Sequence, residues 1–324
     1  MKSETPEILA QQIRAGSSRA LSRGLTWVEQ GGPRAEELCG LLYPCTGRAQ
    51  IIGITGSPGT GKSTLTRRLA LAAAKRNLRT GIIAVDPSSP YSGGSILGDR
   101  IRMNDLSSEL GIFIRSMASH GALGGLCRAA EDSADLMDAA GMDLVFMETV
   151  GVGQDEVDVM GLAHTVVVVT VPGLGDDVQT LKAGILEIAH VHAVNKSDRP
   201  GADQSVADLL AMLNLGPAGR SGWTPPVLSC TAATGEGVEA LLDSVLGHMS
   251  ALKESNGLQR RQLEIAKARV SRIVREGLER MIEEPACGTA QMIDQIARRE
   301  VSPYKYVKAL TSELAQFIET NKNA

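Results

Sequence analysis

Nine consecutive residues, Gly56, Ser57, Pro58, Gly59, Thr60, Gly61, Lys62, Ser63 and Thr64, have the types and order of a loop that holds phosphate. The three glycines allow a turn tight enough for successive backbone N–H groups, and the start of the following helix, to point at phosphate oxygens. Lys62 is then placed to reach the β- and γ-phosphates, and Ser63 to offer its hydroxyl to Mg²⁺. A second string, Asn195-Lys196-Ser197-Asp198, reads guanine: a carboxylate accepts from both the ring N–H and the exocyclic amino group, where adenine presents the opposite pattern. Each such charge-assisted bond is worth about 1.5–3 kcal/mol. After a further apolar run, Ser229, Cys230 and Thr231 can supply backbone N–H groups to the guanine oxygen. Together the strings point to a chain that binds GTP.

Between them lie acids in the places a nucleotide switch needs. Asp86 closes an apolar run and leads into a Ser/Gly-rich stretch ending at Asp99, so both can approach Mg²⁺ directly or through water. Glu148 ends another apolar run and is followed by Gly151, an acid-x-x-Gly element whose glycine N–H can sense a γ-phosphate. Asp176, Asp177, Gln179 and Lys182 form a polar loop feeding a helix, either a further switch or a well-capped helix start. Gln154 lies three residues beyond Gly151, and the group that positions the attacking water stays open.

These residues need a scaffold that brings strand ends together. Gln50–Thr55, Thr80–Val85, Ile112–Ser116, Asp143–Glu148, Thr165–Val171, Val191–Asn195 and Pro226–Ser229 read as strands alternating with helical patterns. Such alternation predicts an α/β fold with a mostly parallel sheet and helices on both faces. Open sheets of this kind place ligands outside the carboxyl ends of their strands. Glu7–Leu42 reads as helix with a break at Gly31-Gly32-Pro33. Beyond Gly257 the pattern is helical only, with apolar stripes through Leu263, Ala266, Val270, Ile273, Gly277 and Met281 and through Val274, Leu278 and Ile282. Thr289–Arg299 and Ser302–Glu319 read as further helices. The expected organisation is an N-terminal helical extension over 1–47, a nucleotide-binding domain over 48–254 and a helical dimerisation region over 255–324.

Composition narrows the classes. Lys+Arg 33 against Asp+Glu 37 leaves a net charge of -4, and two Trp, four Tyr and three Phe are too few for base-stacking platforms, so nucleic acid is not an expected partner. No apolar run approaches a membrane span, and Met1–Arg14 lacks an apolar leader core, which together predict a cytoplasmic protein. Cys39, Cys45, Cys127, Cys230 and Cys287 show no paired spacing and read as reduced core thiols. His190 and His192 suggest a metal only weakly, since no third ligand is evident; packing histidines are the alternative.

Longer strings carry a resemblance. Val-Asp-Pro-Ser-Ser-Pro at 85–90, Gly-Asp-Arg-Ile-Arg-Met at 98–103, Ile-Arg-Ser-Met at 114–117, Glu-Thr-Val-Gly-Val-Gly-Gln at 148–154 and Val-Pro-Gly-Leu-Gly-Asp-Asp-Val-Gln at 171–179 closely resemble the MeaB/MMAA/ArgK family. The family comprises G-protein chaperones of adenosylcobalamin-dependent acyl-CoA mutases, chiefly methylmalonyl-CoA mutase. The resemblance covers nearly the whole chain. It implies a SIMIBI-like P-loop GTPase fold, a homodimer joined through the C-terminal helices, and slow GTP hydrolysis that the mutase accelerates, gating cofactor delivery or the release of damaged cofactor. It implies that Lys62 and Ser63 hold phosphates and Mg²⁺, and that Asp86, Asp99 and Glu148 form the metal and water network. Gln179 and Lys182 would belong to a partner-responsive switch with Gln154, Asp176 and Asp177, while Asn195, Lys196, Asp198 and Ser229–Thr231 would read the base. Two departures are Ser-Cys-Thr where Ser-Ala is more usual, and Thr60 where Ala is common. A metallochaperone GTPase for nickel or cobalt enzymes is the alternative, but the chain lacks the His-rich or Cys-x-Cys-Cys tract that reading predicts.

Overall fold

The apolar runs become one seven-stranded sheet in a computed structural model, which describes residues 5–87, 111–119, 125–149, 161–173, 189–215, 223–283, 293–308 and 311. The strands are β1 (Gln50–Thr55), β2 (Thr80–Pro87), β3 (Phe113–Ser119), β4 (Leu144–Glu148), β5 (Thr165–Thr170), β6 (Val191–Val194) and β7 (Val227–Ser229). Their order is β3-β2-β4-β1-β5-β6-β7, and every pairing is parallel. Small differences from the expected bounds fall at strand ends: β3 starts at Phe113 and β6 stops at Val194. The order reverses beside β1, because the chain leaves it towards β2 on one side and later crosses to β5 on the other. That makes the carboxyl end of β1 the switch point where such sheets open a crevice.

Strand alternation explains why both faces are covered. Ile83, Val145, Met147, Val166 and Val168 bury into one core, and their neighbours Ile82, Phe146, Val167 and Val169 into the other. The first core is roofed by α1 (Pro6–Arg14), α2 (Ser18–Gln30), α3 (Pro33–Leu42) and α5 (Gly125–Ala139), through Leu9, Ile13, Leu21, Leu25, Leu38 and Leu136. The second is roofed by α4 (Lys62–Lys75) and α7 (Val238–Glu254), through Leu65, Leu69, Leu241, Leu242 and Val245. Fully burying each such side chain contributes about 1.5–3 kcal/mol. Ala202–Leu215 forms α6, and Gly257–Glu283 forms α8.

One expected helix is two. The pattern over Glu7–Leu42 breaks at 31–33 as expected, but also at Gly16, which takes φ +80°, and at Ser17, whose hydroxyl accepts from Ala20 N–H and caps α2. Ser17, Ser18 and Arg19 suit a solvated helix face equally well, so periodicity alone misses the turn.

The chain divides into two compact units, Met1–Arg269 and Val270–Ala324. Within the first, the opening part of α8 is tied down by arginines. Arg261 donates to Gly161 O at 3.0 Å and to Ala163 O at 2.8 Å, and Arg269 pairs with Asp132 and Asp135 of α5 at 2.6 Å each. In the second unit residues 293–297 and 303–308 are helical. Among the described residues no helix is long and apolar enough to cross a membrane.

Candidate functional site

The phosphate-type loop sits where β1 ends and α4 begins, and the first-turn N–H groups of α4 lack intrahelical acceptors by construction. Gly61 is required there: its φ is +88°, and a Cβ would stand 2.6 Å from Asn195 Nδ2. Thr60 is buried, and its hydroxyl donates to Ser57 O at 2.8 Å, bracing the turn across Pro58 and Gly59, which are exposed. Thr64 is exposed as well. Lys62 is only 6% exposed, and its ammonium donates to Gly56 O at 2.7 Å and Ser57 O at 3.1 Å, which sets the charge on the inside of the loop.

Ser63 and Glu148 meet. The Ser63 hydroxyl donates to Glu148 Oε1, bringing the head of α4 to the carboxyl end of β4. Glu148 is buried, and β4 is the direct neighbour of β1, pairing Ile54 with Glu148 in register. Asp86 lies near the carboxyl end of β2, paired with Ala118 of β3. Its side chain, and all of Asp99, Gly151, Gln154, Asp176, Asp177, Gln179 and Lys182, lie outside the described residues.

The guanine-type string stands across the loop from these acids. Asn195, 2% exposed, bridges three segments: its Nδ2 donates to Thr60 O at 2.8 Å, while its Oδ1 accepts from Ala232 N–H at 2.9 Å and from the Cys230 thiol at 3.8 Å. Lys196 takes φ +58°, an uncommon conformation for a residue with a side chain, and its ammonium donates to Gly59 O at 2.7 Å. Ser197 joins the next loop through its N–H to Cys230 O at 3.1 Å and its hydroxyl to Thr231 Oγ1 at 3.0 Å. Asp198 is exposed just beyond them.

The loop after β7 differs from its expected use. Cys230 N–H donates to Val194 O at 2.9 Å and Thr231 N–H to Glu236 O at 2.9 Å, so neither is available to a base. Ala232 N–H is taken by Asn195 Oδ1, and the exposed Ala233 N–H comes next along the loop. Burial pushes the Cys230 thiol up to about 12, so it is a neutral packing group. Gly237, which pattern reading passed over, closes the loop: at φ +73° a Cβ would lie 2.3 Å from Ser229 O. Its only signal in the sequence is its place in Gly235-Glu236-Gly237.

The paired histidines do not converge on a site. His190 precedes β6, accepts Val166 N–H on Nδ1 at 3.0 Å and stacks on His248 at 4.3 Å between ring centres. His192 is fully buried within β6. Among the described residues no cluster of three or more His, Cys, Asp or Glu could hold a metal.

Comparison with known proteins agrees with this geometry. Residues 21–286 match the family model described as methylmalonyl Co-A mutase-associated GTPase MeaB. The chain is 43% identical over 298 residues to a Pyrococcus horikoshii protein provisionally named a GTPase, covering 91% of this chain and 94% of that one. It is 36% identical to the GTPase ArgK of Escherichia coli, over 77% of each chain. It is 32% identical to the mitochondrial methylmalonic aciduria type A homolog of Caenorhabditis briggsae, over 80% of this chain and 67% of that one. A crystal structure titled LAO/AO transport system kinase superposes with a TM-score of 0.73 at 24% identity, covering 97% of this chain and 99% of that chain, a likeness of fold.

Proposed function

This chain belongs to the MeaB family of GTPases, and we propose that it hydrolyses GTP in the loop cluster beside β1 as the G-protein chaperone of an adenosylcobalamin-dependent acyl-CoA mutase, methylmalonyl-CoA mutase first. The observation that carries the nucleotide part is the convergence of Lys62, Ser63 and Glu148 on one side of the loop and Asn195 and Lys196 on the other. The mutase part is supported by the family's description.

In this reading phosphate oxygens replace the Gly56 and Ser57 carbonyls as acceptors for Lys62, a point charge that follows the β- and γ-phosphates. Asp198 takes the ring N–H and exocyclic amine of guanine, and Asn195 keeps the base loop in register with the phosphate loop. The Ser63 hydroxyl and the Glu148 carboxylate are hard oxygen donors in mutual contact, which fits Mg²⁺; with Asp86 and Asp99 they would hold it. When bound, the ion offsets charge on the transferring phosphoryl group. Gly151 would sense the γ-phosphate, and Gln154, Asp176, Asp177, Gln179 and Lys182 would answer to the partner.

The chain acts as a homodimer in this proposal. Leu263, Val270, Ile273, Val274 and Ile282 of α8 are 43–60% exposed, an apolar stripe that a second copy would cover. Gel filtration of the full chain with methylmalonyl-CoA mutase and a non-hydrolysable GTP analogue tests the partner. A nucleotide-dependent complex is expected; no complex with this or any other adenosylcobalamin mutase contradicts the assignment.

A further inference from the structure

Arg68, on the helix that the phosphate loop opens, grips the base loop. Its Nε donates to Ala232 O at 3.0 Å and its Nη2 to Ala233 O at 2.5 Å, a guanidinium fork across two consecutive carbonyls. From the other side Asn195 Oδ1 holds Ala232 N–H at 2.9 Å. The loop's remaining donors close on themselves. Thr231 N–H goes to Glu236 O, Thr234 and Gly235 N–H go to Thr231 O, and Glu236 N–H goes to Thr234 Oγ1. Over Cys230–Glu236 that leaves the exposed Ala233 N–H as the one backbone donor without an acceptor among the described residues.

We infer that Arg68 is a positioning residue for base selectivity: by clamping the carbonyls of Ala232 and Ala233 it fixes the Ala233 N–H, which meets the 6-oxygen of the base. The inference rests on the guanine-pocket reading above. A guanidinium suits the task because it spans both carbonyls at once, which an ammonium cannot do with fixed geometry. A held donor also discriminates more sharply than a mobile one, since a poor acceptor cannot draw it out of place.

The test uses the full chain and its Arg68→Met and Arg68→Lys variants, with GDP, IDP and 6-thio-GDP as probes. IDP lacks only the exocyclic amine, so the GDP/IDP ratio reports Asp198. The thio analogue keeps that amine and the ring N–H but offers a weaker acceptor at position 6, so the GDP/6-thio-GDP ratio reports the loop. The wild type is expected to prefer GDP over 6-thio-GDP by about tenfold or more, and Arg68→Met to bring the two within about threefold while the GDP/IDP ratio holds. Arg68→Lys should keep the thermal midpoint yet not restore the thio ratio. A thio ratio unchanged in both variants, or one restored by lysine, would overturn the inference. Wild-type chain that binds ADP as tightly as GDP would instead sink the guanine pocket, whatever the variants do.

Discussion

At the scale of single residues, contiguous strings were the legible part of the candidate site. The loop at 56–64 and the string at 195–198 meet in the structure, joined through Asn195 and Thr60. What escaped was chemistry made by folding. Arg68 is an ordinary helix residue in sequence, and its partners lie 164 and 165 positions away. Strand pairing and a hairpin consume the N–H groups of Cys230 and Thr231, which no local pattern reveals. Lys62→Ala is expected to weaken GTP binding by about 3 kcal/mol, roughly a hundredfold, with the thermal midpoint kept; titration with a fluorescent analogue checks it. Asp198→Asn should move preference from GTP towards xanthosine triphosphate, because an amide can donate to the carbonyl that replaces guanine's amine. Unchanged GTP affinity would remove Asp198 from the pocket. Gly237→Ala should cost about 1–3 kcal/mol in denaturant unfolding, since a side chain at that positive φ is strained and its Cβ meets Ser229 O.

At the scale of elements, the central strands were legible because they are buried on both faces, which leaves near-continuous apolar runs such as Val166–Val169. The α1–α2 turn was not, because its polar residues fit a helix surface. A less visible device lies at the end of the sheet where β5 and β6 begin. His164 and His190 each accept a backbone N–H on Nδ1, from Ile51 and Val166, and His248 contacts Thr165 Oγ1 at 2.9 Å. Burial pushes His164 and His248 down to about 4 and His190 to about 3, with Arg261 adding repulsion to all of them; burial alone takes His192 to about 4. The unfolded chain therefore binds more protons than the folded one between pH 6.5 and 4. Stability is full well above pH 6.5 and falls as pH drops, levelling below about 4 for His164, His192 and His248 and below about 3 for His190, each unit of depression being worth about 1.4 kcal/mol. Urea midpoints measured from pH 7 to 5, above most carboxylate titration, should decline steeply, and His248→Gln should flatten the decline. A flat wild-type profile over that range would mean these rings do not stay neutral in the fold.

At the scale of the whole molecule, the apolar stripe on α8 was legible from its spacing, and the dimer proposed above would cover it. Val270→Glu with Ile273→Glu should give a monomer by light scattering without lowering the thermal midpoint, because both side chains are about half exposed in the single chain. A dimer that survives both charges would place the interface elsewhere. The partner was not legible in the same way: surfaces that meet another protein carry no fixed chemistry, and only the longer strings shared with the MeaB family pointed to a mutase. The central claim is that a cobalamin mutase governs hydrolysis by this chain, and single-turnover GTP hydrolysis with and without methylmalonyl-CoA mutase measures it most directly. The account predicts slow turnover alone and clear acceleration by the mutase, lost in Lys62→Ala; hydrolysis at the same rate with and without every adenosylcobalamin-dependent mutase tried would contradict it.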